Sequence, residues 1–203
     1  MLRLRGMLVA GLGLSLGLAA WAAPNWKTLT DAPRNIDGQG YNLNRPLEVP
    51  YSDGKFVVVM PDDSWVLNSA GAMGADNEYW NEKYHARMGV WAGDSLAGRQ
   101  PRAIVSEWVG NIKQITGGSW TAPKATHIAG FPVVQATGVD GFGNYQYRVV
   151  AYNRFGVNVA IATRIPYEQR HMRTLDEDIT TIVTESHLST RAVEKMLKKQ
   201  RRR

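Results

Sequence analysis

Ser95 is the first residue whose type and setting invite chemistry. It lies in Ala92-Gly93-Asp94-Ser95-Leu96-Ala97-Gly98, a loop of turn formers between a strand-like run and a helix-like run. A serine nucleophile needs an imidazole within hydrogen-bond reach and a third group to orient that base. The chain has four histidines, His85, His127, His171 and His187, and none stands in an HxH or HExxH arrangement. On a helix, Glu78, Glu82 and His85 would share one face and could hold a metal ion. On a strand they scatter, and the aromatic density of 77–91 together with Gly89 predicts a strand ending near Trp91. No metal and no cofactor is expected. Gly141-Phe142-Gly143 lacks the third glycine of a dinucleotide fingerprint and runs into a strand rather than a helix, so no nucleotide is expected either. Asp62-Asp63 and Asp176-Glu177-Asp178 are accounted for by a turn and a helix start.

The block Gly93-Asp94-Ser95-Leu96 resembles the nucleophile block of the GDSL/SGNH esterases and lipases. That resemblance implies Ser95 as nucleophile, with Gly93 and Asp94 shaping the turn that exposes it. The Asp-x-x-His block of that family has no counterpart, the nearest string being Glu168-Gln169-Arg170-His171. Gly156-Val157-Asn158, the one match for its Gly-x-Asn block, falls at a hairpin turn. A small secreted esterase using Ser95 is therefore the alternative reading of function.

The elements that would position any site begin after a leader. Arg3 and Arg5 precede the apolar run Met7–Ala20, and Ala20-Trp21-Ala22 is a small-x-small cleavage site. Residues 1–22 read as a secretory signal peptide, cut after Ala22, with a bacterial periplasm as the destination and secretion beyond it as the alternative. The apolar run is short for a membrane span and no second one follows, so no transmembrane anchor is expected after cleavage. The absence of cysteine excludes disulfides and a lipid-modified cysteine. Residues 23–46, rich in Pro, Gly, Asn and Asp, read as an extended lead-in.

Charge is placed unevenly. The chain carries 24 Lys and Arg against 18 Asp and Glu, yet residues 191–203 alone hold seven basic side chains against Glu194. Residues 23–190 then carry 15 basic against 17 acidic side chains. The basic character belongs to a tail, which removes the main support for a nucleic-acid-binding domain. Lys198, Lys199, Arg201, Arg202 and Arg203 are the candidates for contact with an anionic surface or acidic partner.

Between lead-in and tail, strands are expected near 47–49, 55–60 and 64–67. Pro101–Thr116 reads as a helix, with Ile104, Val105, Trp108, Val109, Ile112 and Ile115 at helical spacing and Gly117-Gly118 as its stop. Ile128–Thr137, Tyr145–Tyr152 and Val157–Ile165 then form an antiparallel meander joined by Gly-rich turns. On its last two strands Tyr145, Tyr147, Val149 and Ala151, and likewise Val157, Val159, Ile161 and Thr163, each mark one face. Ala160 and Ala162 on the opposite face of the last strand suggest a closely packed helix. Thr174–Ser186 is a second helix, capped by Thr174, and Ser189 opens a third helical stretch. Seven tryptophans and eight tyrosines are many for this length. Tyr79, Trp80, Tyr84 and Trp91 either pack a core or line a ligand groove or partner surface.

This order of elements resembles the PsbP-like fold, shared by DcrB-type envelope lipoproteins and a small nuclear import factor. The stretches that carry the resemblance are "KFVVVMPDDSW" (55–65), "IAGFPVVQATGVDGFGNYQYRVVAYNRFGVNVAIAT" (128–163) and "LDEDITTIVTESH" (175–187). It implies an α+β fold, an antiparallel sheet flanked by helices in an α/β/α sandwich over 47–188, and no shared catalytic residues. The reading that follows is a non-catalytic periplasmic or secreted binding or scaffolding protein of the bacterial cell envelope, contacting a protein partner. Residues 189–203 form its basic helical tail.

Overall fold

The computed structural model describes residues 47–51, 56–60, 65–68, 77–169 and 173–190, with positions 193, 194, 197 and 198. The signal peptide, the lead-in, Asp62-Asp63, His171 and tail residues Lys199 and Arg201–Arg203 lie outside them. A small antiparallel sheet joins β1 (Leu47–Tyr51), β2 (Phe56–Met60) and β11 (His187–Leu188) in the order β1-β2-β11. The main sheet holds β3 (Trp65–Asn68), β4 (Asn77–Asn81), β5 (Ala86–Ala92), β6 (Ser119–Trp120), β7 (Lys124–Ile128), β8 (Phe131–Val139), β9 (Tyr145–Arg154) and β10 (Val157–Pro166). Its order is β3-β4-β5-β10-β9-β8-β6, with β7 also paired to β8, and its recorded pairings are antiparallel.

Helix α1 (Pro101–Thr116) covers one face of this sheet. Pro101 supplies a fixed φ in the first turn, and Gly117, at φ 67°, ends the helix by donating its N–H to the Lys113 carbonyl at 2.8 Å. Ile104, Val105, Trp108 and Ile112 pack onto Tyr147, Val149, Ala151, Ala160 and Ala162. Ala151 pairs with Ala160 and Val149 with Ala162, so the surface under α1 is low and the helix approaches closely. Trp91 and Trp108 meet edge to face there, ring centroids 4.3 Å apart. Ile115, expected in the buried stripe, is instead 45% exposed in the last turn of α1, which ends beside the β8–β9 loop, where Gly141 N–H reaches the Thr116 carbonyl at 2.9 Å.

Helix α2 (Arg173–Glu185) and the small sheet cover the other face. Ile179, Ile182 and Val183 meet Phe56 and Val58 of β2 and Met88, Val90, Val150 and Ile161 of the main sheet. Trp65 donates its indole N–H to the Asp178 carboxylate at 2.9 Å, a buried bond between β3 and α2. Arg154 closes the helix at its other end by donating to the Val183 and Thr184 carbonyls. Beyond it, Val193 N–H reaches the Ser189 carbonyl at 3.0 Å, and positions 190, 193, 194, 197 and 198 are helical.

Three further expectations change. Residues 77–91 are not one strand but a hairpin, turned at Glu82–His85, with His85 at φ 50° and the Asn81 side chain accepting Tyr84 N–H at 3.2 Å. Ile128–Thr137 is broken by a turn at Ala129-Gly130, φ 47° and 85°, which separates β7 from β8. The faces marked by Tyr147, Val149 and Ala151 and by Val159 and Ile161 are opposite faces: the first row meets α1, the second α2.

Candidate functional site

The two long faces of the sheet are packed, so access is at its ends. One end gathers the β8–β9 loop, the C-terminus of α1, the β4–β5 turn and the start of β9. Here a cavity of about 430 Å³ opens, lined by Ser119, Trp120, Thr121, Thr137, Gly138, Val139, Gln146 and Tyr167. Strand register explains the lining. Ser119 pairs with Val139 and Val139 with Gln146, so these three share the α2-side face on three adjacent strands. Thr121 and Thr137 form the next row, Thr121 N–H reaching the Thr137 carbonyl at 2.8 Å and the Thr121 hydroxyl accepting Thr137 N–H at 2.9 Å. Beyond them Arg148 donates to Gln135 at 2.8 and 3.1 Å and to Asp176, so its charge is engaged before it reaches the cavity. The Tyr167 ring closes one side, held by its own N–H on the Asn144 carbonyl at 2.8 Å.

On the α1 side of the same end, one row crosses six strands: Trp80, Arg87, Arg164, Tyr147, Gly138 and Trp120 are successive register partners. Trp120 lies on Gly138, where an added Cβ would come within 2.2–2.7 Å of the indole. Its ring reaches Tyr147, 5.9 Å between centroids. Arg164 stacks over Tyr145 at 3.9 Å and Arg87 over Trp80 at 5.9 Å. Arg87 also pairs with Glu78 at 3.6 Å, both nearly inaccessible at 3% and 2% exposed. Burial pushes the Tyr147 phenol up to about 12, against the opposing pull of the Arg164 guanidinium and with added push from Asp140. Tyr152, within the α2-side core, is raised further by the same cause, against its bond to Ser186 and the charge of Arg154.

No protein-family model matches the sequence, and no curated protein does. The chain is similar in structure to cyanobacterial PsbP (CyanoP) from Synechocystis, with TM-score 0.50 and 8% identity over 74% of this chain and 96% of that one. The fold is PsbP-like. Two further structures are similar at lower scores. One is LpqN, involved in cell envelope biogenesis of Mycobacterium tuberculosis, with TM-score 0.41 and 14% identity over 71% of this chain and 91% of that one. The other comes from Bacteroides thetaiotaomicron, with TM-score 0.45 and 9% identity over 73% of this chain and 50% of that one. The antiparallel α+β architecture expected from the sequence is the architecture found.

Within the PsbP-like frame the residues singled out in the sequence are spread apart. Tyr79 is buried in the α2-side core and Trp91 in the α1-side core. Trp80 is buried on the α1 side beside Arg87, and Tyr84 is half-buried on the β4–β5 turn under Lys83, 4.9 Å from its ring. Lys198 is exposed. Ser95 belongs to the 3-10 turn Gly93–Leu96. Asn158 brackets that turn, its amide donating to the Leu96 and Arg99 carbonyls at 2.8 and 2.7 Å and accepting from Asn153 at 2.7 Å. The one residue that matched the Gly-x-Asn block thus serves as a loop clamp. His85 stands at the opposite end of β5, and His127 on β7 lies four strand spacings away, about 19 Å. His187 is in the small sheet, across the main sheet from the core that holds Leu96. Among the described residues no cluster of His, Cys, Asp or Glu could hold a metal ion. The residues sequence reasoning passed over, Ser119, Thr137 and Gln146, carried no motif. Only strand register brings them together.

Proposed function

We propose that the chain is a non-catalytic binding or scaffolding protein, exported to the bacterial periplasm, that docks a protein partner of the cell envelope through the cavity end of the sheet. The observation that carries this reading is Phe142, 88% exposed at the tip of the β8–β9 loop. An aromatic ring left in water on a loose loop would say little, but this loop is braced. The Asp140 carboxylate accepts the N–H groups of Asn144 and Tyr145 at 2.7 and 3.1 Å, and the Asp140 carbonyl accepts Gly143 N–H at 3.0 Å. Gly141 N–H fastens the loop to the end of α1, where Ile115 is also exposed. A preordered aromatic beside a second apolar side chain loses little conformational entropy on binding, which is the property of an interface anchor. Tyr84 lies at the same end of the sheet, half-buried against the α2-side core. The leader at residues 1–22 supports export, and among the described residues no helix is long and apolar enough to cross a membrane. Lys198, Lys199, Arg201, Arg202 and Arg203 supply a second, electrostatic contact with anionic envelope surface.

The test is site-specific photo-crosslinking in cells that export the full chain. A photoreactive residue at Phe142 should give one discrete adduct, and the same group at Ala103, exposed at the other end of α1, should give none. The mature protein should start at Ala23 and fractionate with the periplasm. Equal labelling at both positions, or a retained leader in the cytoplasm, refutes the proposal.

A further inference from the structure

We infer that the cavity beside Trp120 is a binding site for a neutral, hydroxyl-rich ligand of the oligosaccharide class. Three of its side chains carry hydrogen-bonding groups that no partner among the described residues engages: the Ser119 hydroxyl, the Thr137 hydroxyl and the Gln146 amide. Register sets them on neighbouring strands of one face, with Ser119 and Gln146 two strand spacings apart, about 10 Å. Each hydroxyl both donates and accepts, and the amide adds two donors and an acceptor. That mixture complements a ligand whose own groups both donate and accept. Among the described residues the cavity lining contains no Lys, Arg, Asp or Glu, and nearby Arg148 is tied to Gln135 and Asp176, so none of them offers an anion or a cation a counter-charge. An apolar ligand would cover three unpaired polar groups at a cost of about 1–3 kcal/mol each. An added peptide strand would need an open edge on β8, and both edges of β8 are taken, by β9 on one side and by β6 and β7 on the other. Tyr167 and Val139 supply apolar surface beside the polar groups, and a volume of about 430 Å³ suits a small ligand. This site does not depend on the partner surface at Phe142 and stands or falls separately.

The experiment uses the full mature chain and amide NMR with tryptophan fluorescence. The probes are chitotetraose and maltotetraose, with an anionic heparin tetrasaccharide and tri-alanine as comparison arms. A neutral saccharide should shift the amides of Ser119, Thr137, Gln146 and Tyr167 in a saturable way. T137V and Q146A, chosen because they keep strand propensity or sit half-buried, should retain the parent melting temperature while each weakens binding about three- to ten-fold. F142S should leave saccharide affinity unchanged. Absence of saturable shifts with both neutral probes overturns the inference. So does binding that T137V and Q146A leave intact, or tighter binding of the heparin fragment or the peptide.

Discussion

Gly138 sits in mid-strand, where alanine is ordinarily the better residue, yet G138A should destabilise this protein. The built Cβ would stand 2.2 Å from Trp120 Cδ2, 2.4 Å from Cε2 and 2.7 Å from Cε3, far inside van der Waals contact with a rigid ring. The indole must leave, and with it goes the contact with Tyr147 at 5.9 Å, about 0.5–1.5 kcal/mol, together with part of the ring's burial. Against this stands the usual gain on replacing glycine, about 0.5–1 kcal/mol. The net loss is about 2 kcal/mol, which in a chain of this size lowers the melting temperature by about 4–8 °C. The decisive arm is the double-mutant cycle. With W120A already in place the clash has no partner, and G138A should become neutral or slightly stabilising. A coupling of about 2 kcal/mol between the two sites is expected from thermal melts followed by circular dichroism. If G138A costs the same in both backgrounds, Trp120 is not what glycine accommodates, and the described packing of β6 on β8 is refuted.

Other outcomes follow from the same geometry. N158A removes two hydrogen bonds that tie the 93–99 turn to β10 and should cost about 2–4 kcal/mol in urea unfolding, with faster tryptic cleavage after Arg99; unchanged cleavage counts against the clamp. Tyr147 holds its proton in the fold to a pKa of about 12 against about 10 unfolded, so the native state binds more protons between those values and stability falls as pH rises through that window. The loss reaches up to about 3 kcal/mol, is absent below pH 10, and should shrink in Y147F; an equal loss over that window in Y147F would contradict it. Deleting 191–203 should leave the melting temperature within about 2 °C while abolishing sedimentation with anionic vesicles, an interaction that 0.5 M salt should also suppress. Binding that persists after the deletion would assign it elsewhere.

The sequence was most legible where one element carried its own punctuation. α1 has Pro101 at its start, apolar residues three and four apart, and Gly117 at its stop, and its bounds are those expected. The turns were harder. Ala129 and His85 both adopt left-handed φ, yet neither alanine nor histidine is a strong turn signal, so a hairpin read as a strand in one case and β7 fused with β8 in the other. The faces of β9 and β10 were within reach. Phe155-Gly156 is a two-residue turn, and Arg154 pairs with Val157. Each odd-numbered residue on β9 therefore faces an even-numbered one on β10, which sets Val149 and Ala151 with Ala162 and Ala160 rather than with Val159 and Ile161. The same parity shows that Tyr79 and Trp80, adjacent on one strand, point to opposite faces and so cannot line one surface together.

The cavity residues differ in kind. Ser119 follows a helix, Thr137 ends a long strand and Gln146 begins the next. No spacing within any one segment relates them. Their meeting requires three registers at once: β6 on β8, β8 on β9, and the β8–β9 loop length that opposes Val139 to Gln146. Shifting any one of these by a single residue sends the affected side chains to the α1 face, where Tyr147 and Ile112 fill the space. Gly138 is what pins the first register, because only there can the indole of Trp120 lie flat on the strand. Trp120 therefore acts on the site from the opposite face: it locks β6 in place, and in doing so it turns Ser119 and Thr121 toward the cavity.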